Sequence, residues 1–268
     1  MKQLIKSMFH AAGLEITKKN KQNDNVEFDF YDYKDDALQA YNMVKHNTMM
    51  APINLVTLYE QAVYCEINNI EGDFVECGVW KGGAVGVMAI ANKNYSQTER
   101  KLHLFDVFDD ICEPNPKVDG KRAIDDVLKF SNKNESDITG KVEAIKGIYD
   151  IFGGHGTVTI CNELLVNKIG YHSDNIIYHI GWFQDTIPAH AHDIEKIAIL
   201  RLDGDWYDSI KIPLQYLYPK VVSGGIIIID DYGYYEGCTK AVNEYLAENN
   251  IVTFLSYNHK GSRYFIKS

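Results

Sequence analysis

The sequence predicts an α/β fold: a mostly parallel sheet with helices on both faces and an antiparallel hairpin at its carboxyl-terminal end. Three observations predict it. Short apolar strands alternate with helical patterns between Ala51 and Glu248, the signature of βαβ units. The run GGIIIID, Gly224–Asp230, is continuously apolar until its end, as a strand buried on both faces must be. The chain then closes with two short runs, Ile251–Tyr257 and Arg263–Lys267, joined by the turn NHKG.

Taken in order, Ile53, Leu55, Val56, Leu58, Tyr59, Ala62, Val63 and Ile67 recur at helical spacing and predict a helix over Ala51–Asn69. Phe74–Cys77 follows as a strand, GVWKGG as a turn and Ala84–Ala91 as an apolar helix. Leu102–Asp106 is the second strand. From Asp109 to about Gly156 the chain is acidic, rich in lysine and interrupted by Gly and Pro, with GGHG (Gly153–Gly156) reading as a hinge, a loop or a ligand-binding turn. Regular patterns resume with a helix Val158–Gly170 and the strands Asn175–Ile180 and Lys196–Leu202. A helix Tyr207–Lys220, the strand Gly225–Asp230 and a helix Cys238–Glu248 complete the series.

The 268 residues, 46% of them apolar, suffice for one large core. The expected organisation is a domain over 51–268 with an insertion at about 112–158, behind an extension of residues 1–50. A net charge of −10 without any basic run of five or more argues against a nucleic-acid or anionic-membrane binder, since both need clustered Lys and Arg. The opening MKQLIKSMFHAAGLEI lacks the continuous apolar core of a signal peptide, and no stretch approaches the ~18 apolar residues of a membrane span. The expectation is a cytoplasmic chain. Its five cysteines are widely spaced without any CxxC, which predicts buried thiols. KKNKQNDN, Lys18–Asn25, reads as an exposed loop. The N-terminal segment and the helix before residue 70 offer surfaces for a homo-oligomer.

Ligands of parallel sheets bind beyond the carboxyl ends of the strands, so the strand ends carry the functional reading. The first ends FVECGVWKGGA: Glu76, Gly78 and the Gly82–Gly83 pair suit close approach of a ligand at a helix N-terminus, with the acid favouring a cationic group. Such turns also occur for packing alone. The second ends LHLFDVFDD, where Asp106 stands where an acid accepts ribose hydroxyls, or else caps the next element. In GWFQDTIP, Gly181, Trp182 and Phe183 form a flat wall for an adenine ring, with Asp185 as a polar contact; core packing is the plainer alternative. Asp203 ends the strand in AILRLDGDWYDS, and Asp230 and Asp231 end the next. Adjacent strand ends lie about 5 Å apart, so these carboxylates converge. Unneutralised, they would raise one another's pKa. A hard divalent cation, Mg²⁺, Ca²⁺ or Mn²⁺, resolves that repulsion, whereas helix capping would keep the acids apart.

With these residues assembled, the chain resembles the macrocin O-methyltransferase family of sugar methyltransferases. The resemblance rests on GDFVECGVWKGGA, LHLFDVFDD, GWFQDTIP, LRLDGDWYDSIKIPLQYLYPKVVSGGIIIIDDYG, GCTKAVNEY and GSRYFIKS, in family order over most of residues 50–268. It implies a Rossmann-like class I methyltransferase with a seven-stranded sheet, S-adenosylmethionine as cofactor and Mg²⁺ as cation. Glu76, Cys77, Gly78, Gly82 and Gly83 match the motif that holds the methionine part of the cofactor. Asp106 matches the ribose acid, and Gly181, Trp182, Phe183 and Asp185 the adenine segment. Asp203, Asp230 and Asp231 match the metal triad, with Asp205 near enough to Asp203 to exchange roles. Pro114–Thr159 and residues 1–48 depart from the pattern.

The resulting expectation is methyl transfer to a sugar hydroxyl of a glycoside, a nucleotide sugar or a polysaccharide precursor, with Asp203 as base. His155, His179, His190 and His192 are weaker candidates, and Tyr232 a possible lining residue. The competing readings are methylation of a catechol or other small vicinal diol, and a non-catalytic cofactor-binding module.

Overall fold

A computed structural model describes residues 35–268. The apolar spacing within the first sixteen residues and the loop Lys18–Asn25 lie outside the described residues. Helix α1 (Asp35–Val44) buries Ala37, Ala40 and Val44. Helix α2 (Pro52–Ile67) starts with proline at its first position, where no backbone N–H is needed. The units β1 (Asp73–Cys77), α3 (Gly83–Tyr95) and β2 (Leu102–Asp106) follow.

The irregular stretch after β2 holds a helix the sequence reading missed, α4 (Gly120–Phe130). It buries Ala123 and Val127 and packs Ile124, Leu128 and Phe130 against the same small core, an apolar face set in an acidic, lysine-rich stretch. Helix α5 (Val158–Asn162) continues as a π turn, Glu163–Lys168, where a continuous α-helix is predicted. Then come β3 (Ile176–Ile180), α6 (Phe183–His190), β4 (Ile197–Leu202), α7 (Tyr207–Tyr216), β5 (Val221–Ile229) and α8 (Glu236–Glu248). Helix α6 was also unexpected, because Pro188 lies inside it.

The sheet order is β3-β2-β1-β4-β5-β7-β6, where β6 is Ser256–Tyr257 and β7 is Arg263–Ile266. Strands β1 to β5 run parallel; β7 is antiparallel to β5 and to β6. This is the sheet of a class I methyltransferase fold. The first strand of the predicted hairpin is shorter than Ile251–Tyr257 because residues 251–255 join no ladder. All six residues of β4 are buried, the pattern of a strand covered on both faces. The main core cluster joins Val75, Leu200 and Ile227 of the sheet to Ile210 and Leu214 of α7 and Val242 of α8. The five cysteines are free thiols, and only Cys112 is partly exposed. Among the described residues no helix is long and apolar enough to cross a membrane.

Chain order reverses between β1 and β4, which opens a crevice at their carboxyl ends.

Candidate active site

One backbone bond per strand pair continues the ladder past the strands and fixes the floor of that crevice. Gly181 N–H donates to the Asp106 carbonyl at 3.0 Å, Gly78 to Phe105 at 2.9 Å, Asp203 to Cys77 at 2.8 Å and Asp230 to Leu202 at 3.0 Å. Gly78 sits at φ +92, and a Cβ there would fall 1.8 Å from the Asp203 carbonyl oxygen. Only glycine fits where β1 passes this close to β4. Asp205 adopts φ +61, a left-handed conformation that aspartate tolerates better than most residues.

Above the floor lies a cavity of about 540 Å³, lined by Glu76, Gly78, Trp80, Asp106, Trp182 and Asp203, among others. Asp203, Asp205 and Asp231 bring carboxylate oxygens within 4.8 Å of one another. Asp230 turns instead toward Arg201, whose Nη2 lies 3.1 Å from Asp230 Oδ1 without hydrogen-bonding geometry. Nη1 of the same arginine donates to Glu76 Oε1 at 2.6 Å and to Asp203 Oδ2 at 2.8 Å. Arg201 is 1% exposed and is therefore the interior counter-charge of three acids. The sequence reading overlooked it, although an arginine inside the apolar run AILRL was a visible signal.

Burial raises four carboxyls here, those of Glu76, Asp205, Asp230 and Asp231. Glu76 is pushed up to about 8, with Arg201 opposing and Asp203 adding to the rise. Asp205 is pushed up to about 7 by burial and then by Asp203. Asp230 rises to about 6 by burial, against the pull of Arg201. Asp231 rises well above the ordinary carboxylate range through burial and then through Asp205, Asp203 and Asp230. Asp231 Oδ2 and Glu76 Oε2 are buried without a hydrogen-bond partner. Such orphaned acceptors are costly unless something supplies a cation or a donor. An all-oxygen set with unsatisfied lone pairs fits a hard divalent cation at Asp203, Asp205 and Asp231. The lone Glu76 oxygen and the buried, unpartnered Trp80 indole N–H fit the ammonium and carboxylate of an amino-acid-like ligand.

The remaining predicted residues divide. Gly181, Trp182 and Phe183 line the cavity; Asp185 is exposed in the first turn of α6, and Gln184 lines the wall in its place. Cys77 points into the core, because the alternation of β1 turns Glu76 to the site. Gly83 lines the cavity, whereas Gly82 caps α3 at φ +84. Asp106 lines the cavity and also accepts three backbone N–H groups, from Val79 at 2.6 Å, Trp80 at 2.9 Å and Phe108 at 2.6 Å. It thus clamps the glycine turn to β2, a role that no strand-end pattern announces. His179 stacks on Phe105 with ring centroids 4.0 Å apart, and neither it nor His190, His192 or His155 lines the cavity. Tyr232 bonds to Asn243 and does not line it either.

The sequence profile of the macrocin-O-methyltransferase (TylF) family matches residues 2–141 and 163–266. Residues 2–48 therefore belong to the family pattern, contrary to the expectation, and the departure contracts to 142–162. Demethyldecarbamoylnovobiocin O-methyltransferase of Streptomyces niveus is 32% identical over 186 residues, 69% of this chain and 62% of that protein. The chain thus spans about three fifths of that relative's length. Mycinamicin III 3''-O-methyltransferase of Micromonospora griseorubida is 28% identical over 215 residues, 80% of this chain and 75% of that one. Among solved structures, the O-methyltransferase NovP matches with a TM-score of 0.64 and 25% identity, covering 87% of this chain and 100% of that one.

Proposed function

The chain belongs to the macrocin-O-methyltransferase family, and from that premise we propose that it is an S-adenosylmethionine- and Mg²⁺-dependent O-methyltransferase of a sugar hydroxyl. The observation that carries the reading is the convergence of Asp203, Asp205 and Asp231 beside Glu76 and the glycine turn in one cavity. The two relatives named above are O-methyltransferases of demethyldecarbamoylnovobiocin and mycinamicin III by name. A third, 29% identical over 178 residues, names a rhamnosyl group in its substrate, which supports a sugar acceptor. When bound, S-adenosylmethionine supplies a sulfonium methyl and Mg²⁺ acidifies an acceptor hydroxyl.

The chain's own residues set the rest. Glu76 and Trp80 hold the methionine end through their unpartnered atoms, and Trp182 and Phe183 flank the base. Asp203, Asp231 and Asp205 hold the cation, with Asp230 kept in reserve by Arg201. Arg201 fixes Asp203 through Oδ2, which leaves Oδ1 to accept the proton of the attacking hydroxyl. The proton that the hydroxyl gives up would end on Asp203, while the cofactor would supply the methyl group. In-line placement of the two reactants is the main gain. The wall carries far more carboxylates than cations, Arg201 and Lys260 being its lining cations, and so disfavours a diphosphate-bearing acceptor. A glycoside is the favoured acceptor.

Asp231→Asn should lower turnover by at least about a hundredfold while S-adenosylhomocysteine binding, read by calorimetry, stays within a fewfold. Full turnover of the wild type in excess chelator would overturn the metal assignment.

A further inference from the structure

Residues 142–162, the stretch between the two family matches, contribute Val142, Ile148, Tyr149 and Phe152 to the cavity wall. The stretch is fastened at several points. Gly147 and Tyr149 N–H groups donate to the two Asp110 oxygens at 2.8 and 3.3 Å. Gly154 N–H donates back to the Tyr149 carbonyl at 2.9 Å. On its other side Lys81, in the glycine turn, donates to the carbonyls of Phe152 at 3.2 Å and Gly153 at 2.9 Å. Gly156 lies so near Trp80 that a Cβ would meet its carbonyl oxygen at 1.6 Å. The segment is therefore set against the cofactor turn at defined points.

Within it Tyr149 differs from its aromatic neighbours. Tyr235 donates to Asp126 at 3.1 Å, and the Tyr234 ring lies 3.8 Å under the Arg122 guanidinium. The Tyr149 hydroxyl, by contrast, has no hydrogen-bond partner among the described residues. Its ring packs on the small core of Ala123, Val127, Ile148 and Trp206. Burial, then Asp205, Asp106 and Asp203, hold the phenol far above its ordinary pKa, so it remains a hydrogen-bond donor. Tyr149 lines the same cavity as Asp106 at the end of β2 and Asp203 and Asp205 of the carboxylate cluster.

We propose that Tyr149 is a specificity-determining residue of the transfer: its hydroxyl donates to an acceptor oxygen adjacent to the one methylated, and its ring bounds the acceptor. This rests on the methyltransferase reading above. A site built to bond a substrate oxygen discriminates against the analogue lacking it, because the protein group is then left unpaired.

The test compares the full-length wild type and Tyr149→Phe on a panel of glycosides bearing vicinal hydroxyls, their monodeoxy analogues and catechol. The variant keeps the ring and removes a hydroxyl without a protein partner, so its melting temperature should not change. Expected is a ten- to hundredfold lower kcat/KM on whichever acceptor the wild type prefers, with loss of discrimination against its deoxy analogue. Acceptor binding to the S-adenosylhomocysteine-loaded protein, measured by calorimetry, should weaken about tenfold while S-adenosylhomocysteine binding is unchanged. Equal kcat/KM and equal discrimination in the two proteins would overturn the assignment, as would a loss of S-adenosylhomocysteine affinity matching the loss of activity. Wild-type preference for catechol over every glycoside would overturn the sugar reading instead, and the Tyr149→Phe ratio on catechol would still judge Tyr149.

Discussion

The floor and the outer wall of the cavity use aspartate and glutamate in opposite ways. On the floor, regular strands deliver Glu76, Asp203, Asp230 and Asp231 side by side, and the acids are uncompensated except by Arg201. In the wall, from Ile111 to Gly156, one helix and a few turns are held by acids that gather backbone N–H groups. Glu113 accepts from Lys133 at 2.7 Å, from Thr139 N–H at 2.9 Å and from Lys141 N–H at 3.2 Å. Asp119 accepts from Tyr207 N–H at 2.6 Å and Asn115 N–H at 2.5 Å. Glu76, Asp230 and Asp231 on the floor stand high in pKa and call for a cation; Glu113, whose bonds from Lys133, Thr139 and Lys141 outweigh its burial, is held down to about 2. One residue type thus serves as a ligand set where the backbone is already satisfied, and as mortar where it is not.

The sharpest way to break this contrast is Arg201→Leu. Removing the counter-charge leaves buried Glu76 and half-buried Asp203 and Asp230 without it, and stability should fall by about 3–5 kcal/mol in denaturant titration. Added Mg²⁺ should restore more stability to the variant than to the wild type. A variant as stable as the wild type would mean that the floor does not depend on its arginine.

A smaller loss, about 2 kcal/mol, is expected for Glu113→Gln, which weakens charge-assisted bonds in the wall. S-adenosylhomocysteine affinity should be unaffected. Because the folded-state pKa of Glu113 lies below its ordinary 4.5, the wild type's advantage is complete above that pH and disappears as pH falls toward 2. A difference independent of pH across that window would remove the charge from the explanation.

The smallest effect concerns the edge of the sheet. His179 is buried beside His103, with Nε2 and Nδ1 3.1 Å apart, and faces His190 and Asp193. Burial, then His103 and His190, depress it from 6.5 to about 4. The unfolded chain binds that proton first, so stability is lost as pH falls from 6.5 toward 4. Relative to His179→Gln, the wild type should lose about 1 kcal/mol between pH 7 and about pH 5.5 in thermal melts. Parallel curves would assign the acid sensitivity elsewhere.

The sheet was readable because its strands are apolar runs ended by Gly or Asp; GGIIIIDD announced both β5 and its charged end. The irregular wall was not, because its order comes from contacts between residues tens of positions apart, such as Glu113 with Thr139 and Gly147 with Asp110. Helix α4 shows a different limit: Ala123, Ile124, Val127 and Leu128 do recur at helical spacing, but in an acidic, lysine-rich stretch interrupted by Gly and Pro.

By itself, then, the sequence determined the alternating α/β order, the carboxylates at the strand ends and the need for something to neutralise them. Those are consequences of local pattern and chain spacing. Only the tertiary structure decided which acids meet: Asp205 joins Asp203 and Asp231, while Asp230 leans on Arg201. Two adjacent residues at a strand end point to opposite sides, and the partner each finds depends on the neighbouring strand, not on its own. The same holds for Tyr149, whose position in the chain says loop and whose position in space is the cavity wall.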